Sequence, residues 1–267
     1  MSKNILVSYL CTKYDTKKSF EDFVKNYKKH KSGYKHQLLI CYKLIEKKKI
    51  DIYRKKIKSL KHFEFIDFEK RNDYDFGSYY RVAKKYSNYN ILFLNGHSYP
   101  IKNNWLKKTV KHFKSKTIIG FTGSYQSLFS SLKIKKVYKI YQNIRNYVFY
   151  KKNFNKFPNP HIRTSCFLIN SIDFINFNKS RKYKKKEDTW KTESGKKGLT
   201  NYFLKKGYSV IVVNSEGKAF KHNKWKQSKT FCNDAQEKLL ISDKHSRKYE
   251  NSNSKQRKIF NKLVWGN

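Results

Sequence analysis

No run of apolar residues in the sequence approaches the ~18 that a membrane-spanning helix needs. That absence excludes an integral helical membrane protein and leaves a soluble or peripheral one. The apolar stretch within MSKNILVSYLC is too short for the core of a secretory signal. Cysteine is scarce as well. Cys11, Cys41, Cys166 and Cys232 are scattered, with no C-x-x-C spacing, which excludes a disulfide framework and argues against a zinc site. Three of the four sit inside apolar runs and read as buried free thiols, consistent with a reducing, cytoplasmic compartment. Acidic residues are few: 19 Asp and Glu against 62 Lys and Arg give a formal net charge of +43.

Such an excess ordinarily raises nucleic acid as a partner. Here it is mostly lysine, spread from Lys3 to Lys262, and it accompanies heavy use of Asn, Ile, Tyr and Phe. That is the pattern of a coding bias acting on every exposed position. No RNP, zinc-finger or helix-turn-helix signature is present, so nucleic acid is not expected. Anionic lipid headgroups fit the field better, at about 1 kcal/mol per Lys or Arg near such a surface, and nucleotide diphosphates are drawn by the same field. A peripheral position on the inner face of the membrane is the corresponding expectation.

What the chain does have is aromatic surface. Only 38% of its residues are hydrophobic, but Tyr (21) and Phe (20) are abundant and carry much of the burial. Short β-type runs alternate with amphipathic stretches: strands at 4–10, 36–42, 62–68, 90–94 and 117–121, and helices at 17–29, 51–60, 77–86 and 105–113. The second strand, HQLLICY, is near-continuously apolar, as in a buried parallel sheet. This alternation predicts an α/β fold, a mostly parallel sheet with helices on both faces. Further on, 132–150 carries Val137, Ile140, Tyr141, Ile144 and Val148 at helical spacing, a stripe read as core-facing rather than membrane-lying. A strand at 165–170, a basic exposed loop at 178–186, a helix whose later part is 198–206, a strand at 208–213 and a polar tail from Asn223 complete the reading. Neither a repeat nor a linker divides the chain.

Ligands in open parallel sheets bind beyond the carboxyl ends of the strands. The residues there are Thr12, Tyr14 and Asp15 after the first strand, Arg71 to Ser78 after the third, Asn95-Gly96-His97-Ser98 after the fourth, and Glu187 to Gly195 ahead of the late helix. Asp73 and Asp75 also suit a turn before a helix, and Glu187, Asp188 and Glu193 suit a helix N-terminus.

At these positions the sequence resembles GT-A glycosyltransferases of the family-2 kind. YNILFLNGHSYPIKNNWL is similar to the segment that carries the metal-binding acidic motif, and DYDFGSYYRVAKKYS to the nucleotide-side helix. RTSCFLI and TESGKKGLTNYFLKKGYSVIVV resemble the acceptor-side elements, and the ending through LVWG resembles an uncharacterised bacterial polysaccharide-biosynthesis subgroup. The resemblance implies one GT-A-like (Rossmann-type) domain over 1–267, with a nucleotide-sugar half (1–126) and an acceptor-side half with the C-terminal tail (127–267). It implies sugar transfer, hexosyl and inverting in type, from a nucleotide-sugar to a glycan or lipid-linked glycan of a surface polysaccharide or lipopolysaccharide. Glu193 is then the expected catalytic base, with Asp188 and Glu187 as runners-up. Tyr14, Asp15, Asp75, Asn95, His97 and Arg163 are expected on the donor, with Arg81, His161 and His222 as lesser phosphate candidates. One departure stands out, since Asn95-Gly96-His97 occupies the place of the acidic motif that holds Mn²⁺ or Mg²⁺. Asn95 and His97 make a poor magnesium site and a tolerable manganese one, while neutralisation of the diphosphate by basic side chains needs no metal. Two competing readings, an inactive GT-A-like scaffold and a basic nucleic-acid-binding module, rest on the missing acidic motif and on charge alone.

Overall fold

A computed structural model describes residues 4–134 and 140–266, with no account of the side chains of 133–134 and 140–145. The first half alternates strand and helix: β1 (Ile5–Thr12), α1 (Lys17–Lys29), β2 (Gln37–Lys43), α2 (Lys47–Ile57), β3 (Phe63–Asp67), α3 (Tyr74–Lys85), β4 (Asn90–Leu94), a short β5 (Tyr99–Pro100), α4 (Trp105–Val110), β6 (Thr117–Gly120) and β7 (Gly123–Ser124). The second half adds α5 (Ile140–Asn153), β8 (His161–Ile162), β9 (Cys166–Asn170), α6 (Ser171–Asn178), α7 (Lys186–Ser194), α8 (Leu199–Lys205), β10 (Ser209–Val213), β11 (Ala219–Lys221), β12 (Ile241–Ser242), α9 (Lys244–Glu250) and α10 (Ser254–Trp265).

Eight strands form the central sheet in the order β11-β10-β6-β9-β4-β1-β2-β3. Six run one way; β9 is antiparallel to both β4 and β6, and β11 is antiparallel to β10. The expected α/β class, with its mostly parallel sheet, is the one observed. Strand period two sends alternate residues to opposite faces, and both faces are dry. Along β1, Leu6 and Leu10 enter one core with Phe76, Val82, Phe174 and Phe203 from α3, α6 and α8. Val7, Tyr9 and Cys11 enter the other with Phe20, Phe23, Ile57 and Leu106 from α1, α2 and α4. Burial on two sides is why these strands read as apolar runs rather than alternating ones. All four cysteines are free and buried.

The structure departs from the sequence reading in four places. Residues 171–178 form α6, capped by Asn170, whose side chain accepts from the Ile172 and Asp173 amides. Glu187 to Ser194 lie inside α7 rather than ahead of a helix, and Gly195 to Gly198 separate α7 from α8. The polar tail folds into β12, α9 and α10. In α5, Val148 is 63% exposed and so does not face the core. Val137 lies outside the described residues.

Candidate active site

The carboxyl end of β4 and the start of α3 meet the amino end of antiparallel β9 around a cavity of about 480 Å³. Its lining includes Tyr74 and Asp75 from α3, Asn95 after β4, His161, Arg163 and Thr164 before β9, and Lys186, Trp190 and Glu193 from α7. The last three recur at helical spacing, so α7 turns a single stripe towards the cavity.

Asp75 is held at the start of α3 by a charged network beneath it. Lys43, fully buried at the end of β2, is ion-paired to Asp73 and donates to the Tyr74 carbonyl at 2.9 Å. Arg81 bridges Asp73 and Asp67 at 2.6 Å each. Asp67 also accepts from Ser78. Between these clamps Tyr74 takes a left-handed φ of 56°, a conformation that costs a non-glycine residue on the order of 1 kcal/mol. Gly77 is required here, because a Cβ would lie 1.9 Å from an Asp73 oxygen. Arg81 is thereby spent on two carboxylates and is no phosphate ligand. Among the described residues no side chain bonds to Asp75, which lines the cavity. Burial, then Asp15 and Glu193, push its carboxyl up to about 6.

Glu193 is fixed from across the cavity. Its Oε1 accepts from the Thr164 amide at 2.8 Å and the Thr164 hydroxyl at 3.1 Å, which leaves Oε2 for a ligand. His161 donates its Nδ1 proton to the Asn159 carbonyl at 2.8 Å; burial holds its imidazole below the usual range, with Glu193 opposing. Asp188, by contrast, is turned to its own helix N-terminus. It accepts from the Lys184 and Lys185 amides at 3.0 Å and pairs with Lys191 at 2.8 Å, outside the cavity lining. Glu187 is also outside that lining, and His222 is exposed on the β11 side.

Arg163 lines the cavity, but its charge is paired. Nη1 meets Asp243 at 2.8 Å, and the guanidinium stacks on Phe231 at 4.0 Å. Burial raises the Asp243 carboxyl, yet Arg163, the Ser165 hydroxyl and the Ser246 amide outweigh it and bring it down to about 2. Asp243 escaped the sequence reading. The available signal was S-D-x-x-S before a helix, since Asp243 caps α9 through the His245 and Ser246 amides. Thr164 and Lys186 were missed as well, and Trp190 was marked only as part of the stretch 187–195.

At the margin, Asp15 accepts from the Thr12 amide and hydroxyl at 2.7 and 2.8 Å and lies 3.3 Å from His97 Nε2. Its carboxylate rests on Gly96, where a Cβ would fall 2.2 Å from Oδ2. Tyr14, 60% exposed, stands beside it. Asn95 Oδ1 accepts from the Ser98 hydroxyl at 2.8 Å and the His97 amide at 3.2 Å, so the side chain offers the cavity its NH₂ donor rather than an oxygen. Asn95 therefore does not fit a metal ligand, and among the described residues Asp15 is the one carboxylate within 4 Å of His97. Among the described residues no group of three or more His, Cys, Asp or Glu surrounds one point. The described side chains around Asn95 and His97 thus do not make up the oxygen-rich set that a hard cation takes.

No family model matches the chain, and no curated protein does. Among solved structures it is similar to 4-diphosphocytidyl-2C-methyl-D-erythritol synthase from Anaerococcus prevotii, with 11% identity and TM-score 0.48 over 79% of this chain and 88% of that one. It is similar to the glycosyltransferase GlyE of Streptococcus pneumoniae, with 12% identity and TM-score 0.42 over 78% of this chain and 45% of that one. It is similar also to the bifunctional glycosyltransferase WbbM, with 7% identity and TM-score 0.41 over 97% of this chain and 43% of that one. The chain thus spans less than half of the latter two. Likenesses at these scores assign it no activity. Among the described residues no helix is long and apolar enough to cross a membrane.

Proposed function

We propose that the chain is a GT-A-like glycosyltransferase that moves a sugar from a nucleotide-sugar to a hydroxyl of a surface glycan, by direct displacement at the anomeric carbon. The observation that carries this reading is the pairing of two carboxylates of different character in one cavity at the carboxyl end of the sheet. Glu193 is oriented by Thr164 with one oxygen left over, as a general base for an acceptor hydroxyl requires. Asp75 is desolvated and has no side-chain partner among the described residues, so a ribose hydroxyl or base N–H donating to it relieves a cost already present.

In the proposed step the acceptor oxygen gives its proton to Glu193 and attacks the anomeric carbon, and the bond to the diphosphate breaks. Lys186, the Asn95 amide and the neighbouring histidines face the negative charge that develops on the leaving group. No divalent cation has a place in this account. The aromatic wall of Trp190 suits the apolar C–H face of a sugar. The test is release of nucleoside diphosphate from a panel of donors in the presence of glycan acceptors. Glu193→Gln should lower turnover by about 10²–10⁴-fold while donor binding survives. Undiminished turnover in that variant would remove Glu193 from the chemistry.

A further inference from the structure

One face of α5 lies outside everything assigned so far. Tyr147, Val148 and Phe157 are 47%, 63% and 37% exposed. They stand among exposed Lys151, Lys152 and Lys156, with the Lys151 ammonium 5.9 Å from the Tyr147 ring centroid. The Tyr147 ring packs tilted against Phe129, with centroids 5.3 Å apart, and the neighbouring Leu128 lines the cavity. The Phe157 amide donates to Ser130 on the same loop at 2.9 Å. The patch is thus linked through Phe129 to a residue of the cavity lining. The sequence has no Asp or Glu between Asp75 and Asp173, so no carboxylate from this whole stretch offsets the lysines.

We infer that this face docks the protein on an anionic lipid bilayer. Aromatic and aliphatic side chains ringed by lysines match the boundary between headgroups and acyl chains. There the rings enter the interface and the ammonium groups meet lipid phosphates. A polyanion without an apolar phase would satisfy the lysines and leave Tyr147, Val148 and Phe157 in water. Docking here would bring the cavity mouth to the membrane surface, where an acceptor carried on a lipid would be met. The inference does not depend on the transferase reading, because vesicle binding is read without turnover.

The test is flotation of the full chain with phosphatidylcholine vesicles, with and without phosphatidylglycerol, at about 0.15 M salt, where the screening length is ~8 Å. Binding is expected with phosphatidylglycerol only. The triple variant Y147S/V148S/F157S should lower partitioning by about tenfold or more with its melting temperature retained. The triple variant K25Q/K28Q/K29Q on α1 should lower it only a few-fold, about what its lost charge predicts. In a second measurement, V148W should shift its emission to shorter wavelength with anionic vesicles, while I52W on α2 should not. Equal losses in the two triple variants, no flotation of the wild type, or equal shifts at positions 148 and 52 would each overturn the inference.

Discussion

Arg163 and Asp243 meet at 2.8 Å beneath the candidate site, and this contact ties the C-terminal segment to the loop that carries Thr164. Both side chains are almost wholly buried, at 11% and 5% exposure. The pair also receives the Ser165 hydroxyl at 2.7 Å. The segment from β12 onward is thus part of the site's foundation.

Removing one partner of such a pair leaves the other charge buried and alone. Asp243→Asn should cost about 3–5 kcal/mol, read as a lower urea midpoint at pH 7. The sign of the pH dependence follows from the depressed Asp243 value of about 2. Its stabilisation is complete above the unfolded carboxylate range and is lost as pH falls from about 4 towards 2. The gap between variant and wild type should narrow over that window.

Asp75 has the opposite sign. Its carboxyl is raised to about 6 from an unfolded value of 3.8. The stability it contributes is therefore complete below the unfolded value and is lost as pH rises through about 6. Asp75→Asn should stabilise the protein at pH 7.5 by up to about 3 kcal/mol, with little effect at pH 3.5. The same variant should weaken donor binding roughly tenfold. A gain in stability with a loss of binding is the signature of a desolvated functional carboxylate; a loss of both would make Asp75 structural.

Gly96 is needed for contact rather than for backbone freedom. Gly96→Ala would drive a methyl group into the Asp15 carboxylate and should cost about 1–3 kcal/mol. It should also separate Asp15 from His97 and weaken donor binding. Thermal melts with and without donor distinguish the two effects.

The strands were legible because both faces of the sheet are covered, so NILFL and HQLLICY read as apolar whichever face is considered. α1 was legible because Phe20, Phe23 and Val24 share one buried stripe. α7 was not, since KEDTWKTES has no apolar stripe and its inward face is the functional one, Lys186, Trp190 and Glu193. The antiparallel sense of β9 left no trace in its composition. Asp75 and Glu193 could be picked out by position after a strand and beside a late helix. The role of Asp243 could not, because it depends on Arg163, which is distant in the chain. Asp188, a runner-up base, and Arg81, a lesser phosphate candidate, also looked functional in sequence; their partners, Lys191 in one case and Asp67 and Asp73 in the other, tie them to the scaffold.

The most direct test of the central claim is the melting temperature of the wild type against UDP-, GDP-, dTDP- and CMP-sugars, each with Mn²⁺ and with EDTA. A ligand that binds the native state at about 100 times its dissociation constant adds ~2.7 kcal/mol, several degrees for a domain of this size. The account predicts a rise with one nucleotide class, undiminished by EDTA and absent at matched concentrations of inorganic phosphate. No rise with any donor would contradict the proposal of a nucleotide-sugar enzyme, and a rise abolished by EDTA would contradict the proposal that donor binding needs no metal.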